Sequence, residues 1–440
     1  MEYDVKFMDI DKVIKKNEEV GLFTVGIGGS ITGLPVLHNK KIYFGACDTY
    51  FYSLDLETGI KLWSFRTGDA VMSVPSLYKN VLYFGSNDKN IYAVSTDGEL
   101  KWKFLTGGRL LTSTPMVVDG VVYCGSADGY MYALDASDGK LLWKFKAGSH
   151  IIQFPVVIND SLYFGSCDNA FYCISLDGRL KWKFHLGDVT TCYPAVADDK
   201  GNLVWNPALN SQKSFEHGIK LDSGSILFGS DDSFFYSLNL DGRLQWKIKT
   251  GDRIRGANTS ILNGNVYFGS YDRYVRCASF ETGKVLWKFP AGGPVIWTYI
   301  YQNSLYFGDY AGDFYALSLD GKELWRYHTG GPLPCCPVIM DDIAYFGSWD
   351  TYFYALDLKK QKPLWKFQTG FGFQSPVKLA NVIASSDKKT EIPWVPQTKT
   401  INEYGKVISG TESGSRNPYK QKGGYAMTSN HADKRHGAYD

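Results

Sequence analysis

Short runs rich in Val, Tyr, Leu and Phe alternate along this chain with Gly and Asp punctuation, and the alternation repeats. One full unit runs from Pro115 to Val118, turns at Asp119-Gly120, continues through Val121 to Ser126 and turns again at Asp128-Gly129. It then runs from Tyr130 to Asp135, turns at Asp138-Gly139 and ends on Leu141 to Phe145. Apolar runs bounded in this way read as strands, so the unit predicts four strands. Asp-Gly suits tight hairpins because glycine accepts the positive φ they demand. Asp97-Gly98, Asp177-Gly178, Asp241-Gly242 and Asp320-Gly321 repeat that punctuation. Trp63, Trp102, Trp143, Trp182, Trp246, Trp287, Trp325 and Trp365 all fall on the fourth run. Their spacing is roughly 40 residues with one wider gap, the mark of a repeat architecture.

A lone four-stranded antiparallel unit has two faces and cannot bury both. Arranging the units radially buries each face against a neighbour, which predicts an all-β propeller. The tryptophan then packs between blades, where burial stabilises by roughly 2–3 kcal/mol. Eight units predict eight four-stranded blades. A ninth stays open, because a first strand is recognisable a ninth time at Ser375-Pro376-Val377 and Phe23 to Gly28 resembles a stray fourth strand. The expected organisation is an N-terminal segment (1–21), a propeller (22–386) and an irregular polar tail (387–440).

The pattern Ala133-x-Asp135-x-x-x-Gly139-x-x-x-Trp143, and its counterpart Ser53, Asp55, Gly59, Trp63, resembles the tryptophan-docking motif of quinoprotein dehydrogenases and the wider PQQ-like propeller superfamily. The resemblance covers about residues 22 to 386. It implies the fold and leaves the activity open, since that superfamily holds both quinone-dependent enzymes and non-catalytic binding or scaffold propellers. The enzymes would bring pyrroloquinoline quinone and calcium, with a vicinal disulfide held against the quinone.

Lysine plus arginine number 47 against 45 acidic residues, a net charge of +2, so no strong field for nucleic acid or anionic membrane is expected. No apolar run is long enough to span a bilayer. Met1 to Val20 alternates acidic and basic residues without the apolar stretch of a secretory signal. The eight cysteines follow no framework spacing. Reduced thiols in a cytoplasm are therefore the expectation.

What departs from the repeat is where function would be written. Trp297 falls in Val295-Ile296-Trp297-Thr298, read as a first strand lining the channel, and Trp349 in the second-to-third turn Gly347-Ser348-Trp349-Asp350. Trp297 would either plug the channel or floor a stacking site at its mouth. Cys335 and Cys336 adjoin within Pro334-Cys-Cys-Pro337, and Cys192 opens a first strand in the same ring, so three thiols would converge as packing residues or as a soft-metal site. Arg109, His150, Arg253 and Arg255 cluster in the fourth-to-first connections, where guanidiniums would bind a carboxylate or phosphate unless they are simply solvated. Gln153 and Asn258 are the side chains expected to face inward with amide oxygens, and no glutamate joins them. A calcium site thus lacks its expected ligands.

Asp48, Asp88, Asp128, Asp168, Asp232, Asp272 and Asp350 recur too regularly for chemistry and read as turn formers bonding their own backbone; the seventh unit lacks one. The fifth unit carries an insertion, Gly201 to Gly224, placed on the lower face as a partner contact. The tail holds a double glycine, Gly423-Gly424, ahead of His431 and His436. No catalytic constellation or metal-spaced histidine set appears. The reading is a non-catalytic binding or scaffold propeller that recognises a protein, peptide or small ligand at the upper face and channel mouth. The alternatives are a quinone- and calcium-dependent oxidoreductase, or the propeller subunit of a modifying enzyme complex.

Overall fold

Each fourth run ends where the next first run begins, so the chain builds one antiparallel sheet after another. The computed structural model describes residues 29–210, 217–256, 259–370 and, for the backbone, 377–378. The N-terminal segment, the stretch Phe23 to Gly28, Asn258 and the tail calls lie outside the described residues. Eight sheets follow in chain order. The first comprises β1 (Val36–His38), β2 (Lys41–Gly45), β3 (Tyr50–Asp55) and β4 (Lys61–Arg66), each paired antiparallel with the next. No described helix is long and apolar enough to cross a membrane.

The first-to-second hairpins form as two-residue turns, whereas at Asp97-Gly98, Asp177-Gly178, Asp241-Gly242 and Asp320-Gly321 the turn is longer and only the glycine takes positive φ. Asp119 and Gly120 take φ of 48° and 78°, and Asn39 and Lys40 take 48° and 58°, the doubly positive pair of a type I′ turn. A register shift recurs between the third and fourth strands, at Ser53/Leu54 in the first sheet and Ala133/Leu134 in the third. Such a bulge adds local twist to the outer strand.

Burial follows the radial arrangement. Second and third strands are buried on both faces, as in β2 and β3, whereas β4 alternates half-buried with exposed because it forms the rim. Across the blade interfaces rings stack face to face: Phe51 on Phe84 at 4.1 Å, Phe171 on Phe228 at 4.3 Å and Phe235 on Phe268 at 4.2 Å. The same contact joins the last blade to the first, Phe353 on Phe44 at 4.4 Å. That contact closes the ring at eight blades. The piece expected as a ninth first strand, Val377–Lys378, instead pairs with the outermost strand Lys362–Gln368.

Two devices lock the interfaces. Six docking tryptophans, Trp63, Trp102, Trp143, Trp182, Trp246 and Trp287, lie over a turn of the next blade and donate the indole N–H to a backbone carbonyl there, as Trp63 to Thr96 at 3.1 Å and Trp143 to Leu176 at 2.7 Å. The turn glycines under the rings, among them Gly98 and Gly242, leave no room for a Cβ. Trp365 covers Gly59 of the first blade in the same way. The recurrent aspartates form the second device. Asp88 accepts from its own turn at Asn90 N (2.9 Å), as expected of a turn former. It also accepts from the Tyr92 hydroxyl (2.7 Å) and from Gly68 N (2.8 Å) in the connection leaving the previous blade. Asp48 does the same for Gly370, across the closure. The seventh blade, expected to lack this residue, moves it two positions upstream: Asp309 accepts from Gly293 N, Ala311 N and Asp313 N, each at 2.9 Å.

Two glycine variants separate backbone strain from tryptophan docking. At Gly264 (φ 70°) an added Cβ meets open space, so Gly264→Ala should cost about 1 kcal/mol. At Gly242 (φ 80°) the Cβ falls 2.7 Å from the Trp182 ring, so Gly242→Ala should cost roughly 3 kcal/mol in urea unfolding. Equal costs would remove the docking account.

Candidate functional site

The channel is blocked from below by the insertion of the fifth blade. Leu203–Trp205 pairs with the innermost strand Ala195–Asp198 on its channel side, adding a fifth strand where the other described blades have none. Trp205 is fully buried, edge-on to Phe154 at 5.1 Å, and Asn206 reaches the next blade through Thr259 O at 3.1 Å. The chain then returns beneath the third and fourth blades. Ile219 N donates to Val157 O at 3.0 Å and Lys220 pairs with Asp160 at 2.8 Å. The insertion expected as an outward partner contact is in large part an internal plug and strap.

From above, the fourth-to-first connections and second-to-third turns enclose a cup of about 100 Å³. Its floor is Trp297, only 3% exposed and stacked on Tyr193 at 5.2 Å and 30°. Trp297 lies just ahead of the innermost strand of its blade, Tyr299–Tyr301, and its indole donates to Pro334 O. Plug and floor, the two readings of this residue, are one arrangement. The wall is a chain of rings from three consecutive blades: Tyr271 to Tyr310 at 5.9 Å, then Tyr310 to Trp349 at 5.5 Å, edge-on. Met72, Thr112 and Thr191 complete the side facing them.

One ion pair borders the cup. Arg255 Nε lies 3.0 and 2.9 Å from the two carboxylate oxygens of Asp231, and Nη2 lies 2.5 Å from Oδ2. Burial pushes the Asp231 carboxyl above its usual range, against the pull of Arg255 and Arg253, and the pair holds the Arg255 guanidinium protonated. Arg253 stands over the Tyr271 ring at 5.0 Å. Two polar atoms on cup-lining side chains, Trp349 Nε1 and Thr191 Oγ1, are shielded from solvent and meet no hydrogen-bond partner.

Of the residues expected at the mouth, Arg255, Trp297 and Trp349 come together in the cup. Arg109 is exposed and His150 half-buried in connections outside it. Gln153 is fully buried and ties its own blade to the next: Gly165 N donates to its Oε1 at 2.9 Å, and its Nε2 donates to Thr190 O in the connection entering the fifth blade. The thiols diverge. Cys192 donates to Ile254 O and Cys335 to Gly347 O, each at 2.9 Å, while Cys336 faces Thr298 O at 3.8 Å. Burial pushes the Cys335 thiol up to about 12. Its pair of bonds with Gly347 matches that of Ser73 with Gly85, so it fills a structural slot of the repeat.

Tyr193, Tyr271 and Tyr310 were missed by sequence reasoning. A signal existed: Tyr271, Tyr310 and Trp349 occupy the same variable turn slot that holds Cys47, Asn87, Ala127, Cys167 and Asp231 in the other units.

A quinone with calcium does not fit these residues. Calcium takes about six to eight oxygen ligands. Gln153 is committed to joining the fourth blade to the fifth, and among the described residues no three His, Cys, Asp or Glu side chains gather as a metal-holding group.

Comparison with known proteins adds the lineage. A protein-family model described as outer membrane protein assembly factor BamB matches residues 15–115, 106–194, 193–296 and 272–388. No curated protein matches the sequence. Among solved structures, BamB from Moraxella catarrhalis is similar with a TM-score of 0.58 at 14% identity, over 75% of this chain and 95% of that one. The quinohemoprotein alcohol dehydrogenase from Comamonas testosteroni gives 0.59 at 15% identity, over 75% of this chain and 71% of that one. The computationally designed Ika8 protein gives 0.56 at 15% identity, over 74% and 95%. At these identities the likeness concerns the fold.

Two variants test the chemistry assigned here. Cys335→Ser should cost under about 1 kcal/mol, since serine serves the same slot at position 73, whereas Cys335→Ala strands the Gly347 groups and should cost about 1–3 kcal/mol. A serine variant as damaged as the alanine one would refute the structural role. Arg255→Met leaves Asp231, 7% exposed, without its partner and should cost about 3–5 kcal/mol at neutral pH. Because burial raises the folded-state pKa, the penalty is absent below the unfolded value near ~3.9 and grows as pH rises through the folded one. The gap in urea midpoint between variant and parent should therefore widen from pH 4 to 8; a pH-independent gap contradicts the burial account.

Proposed function

The chain belongs to the PQQ-like β-propeller family whose model is described as outer membrane protein assembly factor BamB, and from that premise we propose that it is a non-catalytic binding propeller. The upper-face cup is its recognition site for a protein, peptide or small ligand. The observation that carries this reading is the cup itself. It is aromatic and opens on one face of the ring. Concave apolar sites with a few convergent polar groups are where ligands are held. The family's description, an assembly factor, is a role filled by contacts and agrees with that use.

The oxidoreductase reading draws on the likeness to an alcohol dehydrogenase, and that likeness extends to the fold alone. Against it stands the lack of a gathered set of calcium ligands among the described side chains. The lower face, strapped by the insertion, is the weaker candidate for contact.

A thermal shift assay with pyrroloquinoline quinone and calcium chloride should leave the unfolding temperature unchanged; a rise of several degrees would overturn the non-catalytic reading. A photo-crosslinking residue placed at Tyr310 should yield a discrete adduct in cells, and one at His217 on the lower face should not. Adducts from His217 alone would move the binding surface to the other side of the ring.

A further inference from the structure

The outer rim concentrates positive charge. The outermost strands of the second to sixth blades, Leu100–Leu105, Leu141–Lys146, Leu180–His185, Leu244–Lys249 and Val285–Pro290, hold nine lysines and no carboxylate. The whole chain is balanced to +2, so the rim gathers charge that other surfaces offset. Each of these strands is the last of its sheet, and among the described residues no strand pairs with its outer edge. Such an edge presents a row of unpaired N–H and C=O groups.

The third and fifth blades carry the pattern furthest. Lys144 and Lys146 stand on one side of their strand, with Trp143 and Phe145 on the other. Both ammonium groups meet one ring, Tyr130, at 4.4 and 4.5 Å, and Lys247 and Lys249 repeat this over Phe234 at 4.3 and 4.4 Å. Lysines of the neighbouring blades have carboxylate partners, Lys101 with Glu99 and Lys183 with Asp168, each at 3.0 Å. No described carboxylate pairs with Lys144, Lys146, Lys247 or Lys249. Lys146 and Lys249 donate to the main-chain carbonyls of Asp128 and Asp232, which leaves their charge unopposed.

The molecule itself shows that an edge of this kind accepts another strand. On the eighth blade Trp365 pairs antiparallel with Lys378, and Lys366 with Val377, outside the rim. Trp365 and Lys366 hold the register positions that Trp143 and Lys144 hold in the third blade.

We propose that the rim edge of the third blade, and its counterpart on the fifth, accepts an extended acidic segment of a partner protein as a fifth antiparallel strand. Alternate residues of that segment are Glu or Asp and stand opposite Lys144 and Lys146; those between are apolar and continue the side formed by Trp143 and Phe145. Directly opposed side chains start about 5 Å apart at Cβ, within reach of an ion pair. The same lysines keep two copies of the rim from pairing with each other. A nucleic acid would meet the charge and leave the backbone edge unpaired. This edge is separate from the cup, so its test does not decide the binding reading given above.

The probe is the acetylated, amidated peptide Thr-Glu-Val-Glu-Val-Glu-Thr, with Thr-Val-Val-Glu-Glu-Glu-Thr, the same residues in blocks, as control. Hydrogen exchange of the full chain is followed while either peptide is raised to millimolar concentration. The alternating peptide should slow exchange saturably in Leu141–Lys146 and Leu244–Lys249, less so as salt rises. The block peptide should be about tenfold weaker or more, because it cannot match both sides of the strand. Lys144→Glu, Lys146→Glu, Lys247→Glu and Lys249→Glu together should weaken the alternating peptide by about tenfold or more with an unchanged unfolding temperature. Glutamine at the same four positions, a milder change, should weaken it by about threefold. Unslowed exchange on the rim, equal binding of the two peptides, or indifference to the glutamate changes would overturn the inference. A single-stranded oligothymidylate that binds more tightly and displaces the peptide would overturn it in favour of nucleic acid.

Discussion

A four-stranded blade presents two apolar faces, and among the described residues it is the neighbouring blades that cover them. That constraint dictates the ring. The second and third strands are buried on both sides, so an open row of seven interfaces would leave two aromatic faces in water. Closure removes both, and it uses the same parts as every other interface: the Phe353–Phe44 stack, Trp365 over Gly59, and Asp48 holding Gly370 N. The locks act at different radii. Tryptophan docks near the rim, phenylalanine stacks between the sheets, and the carboxylates tie the upper-face connections. An error at one radius is therefore resisted at the other two.

The carboxylate ties bear most directly on function. A connection between blades that hung free would have no fixed shape, whereas each here is pinned by the aspartate of the following blade. The residue just before that aspartate faces the mouth from a fixed stem. The repeat can then vary this slot without disturbing the blade. Tyr271, Tyr310 and Trp349 are three successive uses of it, and Asp231 is the fourth, supplying the partner of Arg255. The seventh blade shows how strongly the tie is kept: with the usual position occupied by Ala311, Asp309 two residues upstream holds the connection through Gly293 N, and the neighbouring Gly292 N donates to the Tyr315 hydroxyl.

The blades, their four strands and the role of the tryptophans were legible because local rules encode them: turn glycines at positive φ, alternating runs, and a spacing that repeats. The eight-blade count was legible as the commoner of two answers, but the fate of the ninth first strand was not. Val377–Lys378 carries strand-forming residues, and pairing on the rim and lining the channel demand the same local pattern. The cup was legible only in part. Its members lie about 40 residues apart and meet through ring geometry, so Arg255, Trp297 and Trp349 stood out by residue type while the tyrosines vanished among 30 of their kind. Cys335 stood out for the opposite reason. Its neighbour made it look chemical, yet its bonds are those Ser73 makes at the same place. Sequence marks unusual residues, and the environment decides whether they are exceptional.

The insertion resolves a tension between a ring and a pocket. An eight-bladed ring leaves a hole along its axis, and a hole open at both ends gives water access to anything bound in it. Leu203–Trp205 adds a strand inside the hole, and Trp205 and Trp297 fill it from two directions. The floor of the cup is thereby closed by rings packed on both sides of it. The exposed leucines of the outer strands, Leu105 at 67% and Leu324 at 54% among them, are scattered one or two to a blade and provide no comparable focus.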